Sequence, residues 1–279
     1  MSETAKKTAV VTGATSGLGE AAAVALAKEG YRMLLVGRDA VRGAAVVERI
    51  RAAGGTAEFL AADLFSIADV RRLGGEIVSR APTLDLLVNN AGGMFSKKEL
   101  TGDGIERTFA INVVAPFILS DELFESLAAA GGRIVNVVTG VPKNAKATLE
   151  QLAGAGAGGG LQSYTRSKLA LGALTREQQK RFKERGVSVV SLHPGIIPNT
   201  RFGQELPAAM RKIGNFVAKL FGLSSTIEQA AARFVKVGTG PIEGGGFYKE
   251  GTLAPAPVLA TDAKFGAALW ARLEALSGG

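Results

Sequence analysis

Short, uninterrupted apolar runs at regular intervals constrain this chain more than any other feature. TAVVT (8–12), RMLLV (32–36), TAEFLAAD (56–63) and LDLLVNN (84–90) are followed by RIVNVV (133–138), VSVVSL (187–192) and a weaker GFY (246–248). A strand with one wet face alternates apolar and polar residues. Most of these runs do not, so they read as strands buried on both faces. The stretches between them have the length and spacing of helices. Strand and helix in alternation predict a parallel, doubly wound α/β sheet of about seven strands with helices on both faces. The 279 residues suit one such domain, and no repeat or linker divides them, so 1–279 reads as a single unit.

Directly after the first run stands TGATSGLG, with Gly13, Gly17 and Gly19 interleaved by Thr15, Ser16 and Leu18. Residues without side chains let backbone come close to a pyrophosphate, whose charge then rests on the N-terminus of a helix starting near Leu18. At the end of the second run, where an acidic residue would bind the ribose 2′-hydroxyl of NAD, the chain reads Gly37-Arg38-Asp39. An arginine there can pair with a 2′-phosphate, so NADP is expected in preference to NAD. The other reading leaves Arg38 as a surface charge and makes Asp39 the N-cap of the next helix; the two roles of Asp39 and Arg38 are compatible.

The glycine spacing, TGxxxGxG, resembles the fingerprint of the short-chain dehydrogenase/reductase family. Four further motifs follow in that family's order: Asn89-Asn90-Ala91-Gly92, Asn112, Tyr164-Thr165-Arg166-Ser167-Lys168 and His193-Pro194-Gly195. The resemblance implies a Rossmann fold, with Asp63 of Ala62-Asp63-Leu64 at the adenine and Leu64, Asn90, Ala91, Gly92, Pro194 and Gly195 also lining the cofactor. It implies that Lys168 holds the nicotinamide ribose and that Asn112 orients a water linked to Lys168. A tyrosine and a lysine four apart share a helical face, so the ammonium can depress the phenol's pKa from about 10 towards the working pH. The phenol can then give or take the proton of a substrate oxygen. Thr139 falls where the family carries a serine; it keeps the hydroxyl and adds a rotamer-restricting methyl.

The long gap from Thr139 to Tyr164, LTGDGIERTFAINVVAPF and the tail WARLEAL resemble the retinol dehydrogenase-like branch, which implies a bulky apolar alcohol or carbonyl as substrate. The family also implies a homodimer or homotetramer. Residues 153–160, AGAGAGGG, are expected as a loop, because glycine loses the most backbone freedom on ordering. Residues 194–225 form an excursion in which Met210, Ile213, Phe216, Val217, Leu220 and Phe221 share a helical face, either packed on the core or covering an apolar substrate.

Composition removes several alternatives. There is no cysteine, hence no disulfide or thiolate chemistry, and the single His193 leaves no histidine metal cluster, so no metal is expected. The net charge of +8 is scattered over helical stretches with few interleaved aromatics, which reads as solvated surface and not as a nucleic-acid face. No apolar run approaches the roughly 18 residues of a spanning helix, and the N-terminus lacks a signal-peptide core, so the cytoplasm is the expected compartment. Two other classes remain: an NADP-binding sensor without turnover, and a protein whose basic amphipathic stretch around 208–221 touches lipid.

Overall fold

In the computed structural model, residues 6–152, 159–197 and 225–278 are described. The strands are β1 (Thr8–Thr12), β2 (Arg32–Gly37), β3 (Thr56–Ala61), β4 (Leu86–Asn89), β5 (Arg133–Val137), β6 (Ser188–His193), β7 (Phe247–Lys249) and β8 (Thr252–Ala254). They form one sheet in the order β3-β2-β1-β4-β5-β6-β7-β8. Every pairing is parallel except that of β7 with β8. The expected seven strands thus become eight, through a hairpin whose three-residue return strand carries no periodic signal. The third run also ends earlier than expected, at Ala61, leaving Ala62 and Asp63 outside the strand.

The helices are α1 (Gly17–Lys28), α2 (Ala40–Ala52), α3 (Ile67–Arg80), α4 (Arg107–Phe109), α5 (Ala115–Glu122), α6 (Phe124–Ala130), α7 (Gly160–Phe182), α8 (Ile227–Thr239) and α9 (Ala263–Ser277). A wide π turn, Ala110–Val114, joins α4 to α5. Side chains leave a strand alternately up and down, so each buried run feeds two cores. Val10, Leu34, Leu60, Leu87, Ile134 and Val189 face a core that includes residues of α3, α5, α7 and α9. Val11, Met33, Leu35, Val88, Val135 and Val190 face the one closed by α1, α2 and α8. Burial of this kind, at roughly 25 cal/mol per Å² of apolar surface, is what stabilises the alternation read from the sequence.

Beneath the site a polar ladder crosses the sheet. Asn89 Nδ2 donates to Asn136 Oδ1 (2.9 Å), and Asn136 Nδ2 donates to Thr175 Oγ1 (3.0 Å) and Gln178 Oε1 (2.9 Å) of α7. Buried amides demand such partners, and here they tie β4, β5 and α7 into one register.

Gly160 is the first residue of α7, with φ +64°, and its N–H donates to the Phe95 carbonyl (2.8 Å). The expected loop over 153–160 is therefore corrected at its end: glycine is used there to start a helix at close quarters with the chain after β4. Residues 153–158 lie outside the described residues. So do 198–224 of the expected excursion, with its apolar face. Among the described residues no helix is long and apolar enough to cross a membrane.

Candidate active site

The strand order reverses direction between β1 and β4, and the carboxyl ends of these strands meet there, the place where open α/β sheets bind ligands. Thr12, the last residue of β1, pins the two ends together. Its Oγ1 accepts from Asn90 N and Ala91 N (3.0 Å each) and donates to the Val88 carbonyl (3.3 Å). Asn90 Nδ2 returns a bond to the Thr12 carbonyl (2.9 Å). Thr12 was not singled out from the sequence; a hydroxyl closing an apolar strand just before the first glycine was the signal.

The turn needs its glycines. Gly13 and Gly17 have φ +67° and +59°, and a Cβ on Gly19 would collide with the Gly13 carbonyl and the Asn90 amide. A Cβ on Gly17 would meet no protein atom, so the space beside α1's first turn is open. Ser16 stands at the N-cap without its side chain taking a helix N–H, whereas Asp39 caps α2 and Ser66 caps α3. The first N–H groups of α1 are thus left for an anion. Thr15 packs towards β2, its methyl 2.7 Å from where a Gly37 Cβ would be, and Leu18 is half-buried. The cradle fits a dinucleotide.

Arg38 leaves the end of β2 exposed, its guanidinium carbon 5.3 Å from the centroid of the Phe65 ring. Asp39 is engaged elsewhere: it accepts from Arg42 N (3.0 Å) and pairs with the Arg42 guanidinium (2.6 Å). After β3, exposed Asp63 accepts from Phe65 N (3.2 Å), and Leu64 is buried. Arg107 lies against both Phe65 (5.0 Å) and Phe95 (4.4 Å), a stack that the sequence reading missed because it joins three distant segments.

The residues expected to act as acid and base gather around α7. Tyr164 and Lys168 are both buried, and the Lys168 Nζ lies 6.0 Å from the Tyr164 ring centroid and donates to the Val137 carbonyl (2.7 Å). Thr139, two residues beyond that carbonyl, hydrogen-bonds the Tyr164 phenol. Asn112, fully buried in the π turn, donates to the Gly93 carbonyl (2.9 Å) and Ser167 Oγ (3.0 Å) and accepts from Gly93 N (3.2 Å). Ser167 Oγ donates in turn to the Tyr164 carbonyl (2.8 Å). Gly92 closes the group: a Cβ there would stand 2.5 Å from Asn112 Oδ1 and 3.1 Å from Lys168 Nζ.

Burial drives both ionisable groups towards their neutral forms. It pushes the Tyr164 phenol up, while the hydrogen bond from Thr139 pulls it down. It pushes Lys168 down from 10.5 to about 7. The expected depression of the phenol by the ammonium is therefore outweighed, among the protein groups, by desolvation. Pro194 is buried and Gly195 has φ +99°, while buried His193 is pushed down from 6.5 to about 4 by the same cause. A narrow cleft reaches Thr139 and Lys168 between Val138, Val141, Phe247 and Pro257. Among the described residues no cluster of ligating side chains could hold a metal.

Residues 7–211 match the family model described as short chain dehydrogenase. A Streptomyces sp. (strain C5) protein assigned provisionally as a daunorubicin C-13 ketoreductase, DnrU, is 34% identical over 275 residues, covering 95% of this chain and 90% of that one. Mouse (Mus musculus) retinol dehydrogenase 14 is 34% identical over 230 residues, covering 77% of this chain and 69% of that one. Among solved structures, a short chain dehydrogenase from Burkholderia cenocepacia J2315 in complex with NADP superposes with a TM-score of 0.69 at 27% identity, over 88% of this chain and 97% of that one. The cradle, the Tyr164–Lys168 helix and these likenesses agree: the chain belongs to the short-chain dehydrogenase/reductase family of oxidoreductases, in its retinol dehydrogenase-like branch.

Proposed function

We propose that the protein interconverts a carbonyl and an alcohol on an apolar small molecule, using NADP. The observation that carries this reading is the convergence of Thr139, Tyr164 and Lys168 at the carboxyl end of β5, beside the glycine cradle. A nicotinamide held in the cradle would supply or take the hydride. In reduction, Tyr164 gives its proton to the substrate oxygen as that oxygen gains charge, and the Thr139 hydroxyl donates to the same oxygen; in oxidation the phenolate takes the proton. Lys168, poised near neutrality by its burial, takes up and releases protons at the working pH and offers its ammonium to the ribose. Asn112, anchored to Gly93 and Ser167, holds the end of the chain after β4 against α7.

Three observations support the finer points. Arg38 is exposed at the end of β2, and the charge of Asp39 is spent on Arg42, which favours a 2′-phosphate over a free hydroxyl. The bacterial neighbour holds NADP. The cleft at Thr139 has mostly apolar walls, and the names of two relatives give a ketone of daunorubicin and the alcohol retinol as the groups acted on. The raised phenol pKa favours a second reading, a protein that binds NADP without turnover.

One set of variants separates the readings. Tyr164→Phe should leave NADPH binding by fluorescence titration nearly intact and lower turnover of a carbonyl panel by about two to four decades. Thr139→Ala should lose on the order of ten- to a thousandfold in rate, and Thr139→Ser should match or exceed the wild type. Normal turnover by Tyr164→Phe removes the mechanism; NADPH binding with no turnover on any carbonyl, in wild type and Thr139→Ser alike, favours the sensor.

A further inference from the structure

The turn between β7 and β8 has two central residues, Glu250 and Gly251, with φ +53° and +80°. A two-residue hairpin with positive φ at both positions is the type I′ geometry, for which Asn-Gly or Gly-Gly is the undemanding choice. Glu250 is the only non-glycine residue with positive φ among the described residues. A glutamate held in the left-handed region is strained, and strain of this sort persists where the side chain is needed.

The Glu250 side chain is in use. Its Oε2 accepts from Arg233 Nη2 (2.7 Å) on α8, while its backbone N–H donates to the His193 carbonyl (2.8 Å). Arg233 Nη1 donates to the Pro194 carbonyl (2.6 Å) and to Ser225 Oγ (2.7 Å). Ser225 N donates to the Ile196 carbonyl (2.8 Å). The carbonyls of His193, Pro194 and Ile196 are thus all held from one side by Glu250, Arg233 and Ser225. Gly195, between them, wraps the guanidinium so closely that a Cβ would stand 2.5 Å from Arg233 Nη1. The Arg233 side chain is only 17% exposed, so a guanidinium with so little water around it needs its carboxylate.

We propose that Glu250 and Arg233 are paired positioning residues that set the His193-Pro194-Gly195 turn for a bound nicotinamide dinucleotide. The proposal rests on the nicotinamide reading given above. Neither residue reaches the site itself. They act through the backbone at the carboxyl end of β6, the strand beside the one that leads to Thr139. Bonds to Glu250, Ser225 and the Pro194 carbonyl together fix the guanidinium, which in turn holds that carbonyl in place.

Glu250→Asn tests the pair without endangering the fold. Asparagine suits the left-handed position better than glutamate, keeps the backbone N–H on His193 and is too short to hold Arg233 as the glutamate does. The expected result is a melting temperature close to that of the wild type, because the backbone strain relieved at position 250 offsets the lost ion pair, with the Kd for NADPH, read by fluorescence titration, raised about tenfold. Glu250→Gln, which keeps an acceptor oxygen but no charge, should fall between the two, and Arg233→Met should raise the Kd at least as far as Glu250→Asn. Combining Glu250→Asn with Arg233→Met should add little, because both break the same bond. Wild-type Kd in Glu250→Asn, or a Kd that follows the melting temperature across the variants, overturns the positioning role. Failure of the wild type to bind NADPH or NADH is a separate result: it removes the nicotinamide reading and the pair's role with it.

Discussion

Replacing Gly92 with alanine should damage the site more than any other single methyl added to the chain after β4. The added Cβ would stand 2.5 Å from Asn112 Oδ1 and 3.1 Å from Lys168 Nζ, and neither group can retreat cheaply. Asn112 is 0% exposed and holds Gly93 and Ser167 through bonds of 2.9 and 3.0 Å, while Lys168 is tied to the Val137 carbonyl at 2.7 Å. Each hydrogen bond contributes about 1 kcal/mol net, and a buried polar group left unpaired costs about 1 to 3 kcal/mol. If Asn112 lets go of one or two partners, the loss is about 2 to 4 kcal/mol, which lowers the melting temperature by roughly 4 to 8 °C in a domain of this size. Gly17→Ala is the control: φ there is +59° but a Cβ meets nothing, so only backbone strain of about 1 to 2 kcal/mol is added. The decisive measurement is a double-mutant cycle by thermal or urea unfolding. If the clash with Asn112 is the cause, Gly92→Ala should cost at least about 1 kcal/mol less in an Asn112→Ala background. Additive losses, or a Gly92→Ala protein with unchanged melting and turnover, would show that Gly92, Asn112 and Lys168 do not form the rigid unit described here.

Arg38→Asp should weaken NADPH roughly ten- to a hundredfold while changing NADH little, because one charge-assisted bond of about 1.5 to 3 kcal/mol is replaced by repulsion; equal effects on both cofactors in titration would take Arg38 out of the phosphate site. His193→Gln should flatten stability in acid. The folded state holds His193 at about 4 against an ordinary 6.5, so between those values the unfolded chain binds more protons and stability falls as pH drops. The full effect is about 3 kcal/mol, complete below pH 4 and absent above about 6.5. Urea unfolding at pH 7 and 4.5 measures it: the wild type should lose more stability than His193→Gln, and parallel losses would mean the imidazole is not buried uncharged.

The parts of the fold that could be read ahead are those whose information is local. Most of the strands announce themselves because a strand buried on both faces must be apolar throughout, and the glycines of the β1–α1 turn because Gly13 and Gly17 need positive φ. What escaped was created by tertiary proximity. Thr12 gains its role from the end of β4 and the residues after it, 76 to 79 residues away. Arg107 stacks on Phe65 and Phe95 only because the segments after β3 and β4 lie side by side. Ser167 stood inside the YTRSK motif, yet nothing local shows that its hydroxyl links Asn112 to the Tyr164 carbonyl. The i,i+4 spacing placed Tyr164 and Lys168 on one face but gave no measure of their burial, and burial is what reverses the expected direction of the phenol's pKa.

The π turn at Asn112 shows how one residue can shape the site from outside it. Pro116 lies in the first turn of α5 and has no N–H, and the carbonyl it would have served in a straight α-helix is that of residue 112. The proline ring also crowds that carbonyl, so a regular turn is penalised twice at this point. Widening the turn relieves both problems: the helix runs from Arg107 to Glu122 with Ala110–Val114 in π geometry, and Ala115 N donates back five residues to the Ala110 carbonyl. The extra residue in the turn rotates Asn112 relative to Phe109 and Val113, which stay in the apolar core. An asparagine on a strictly helical path would compete with those side chains for the same face. Displaced from it, the amide instead spans the gap to Gly93 and Ser167, bringing the chain after β4 and the Tyr164 helix within one side chain's reach.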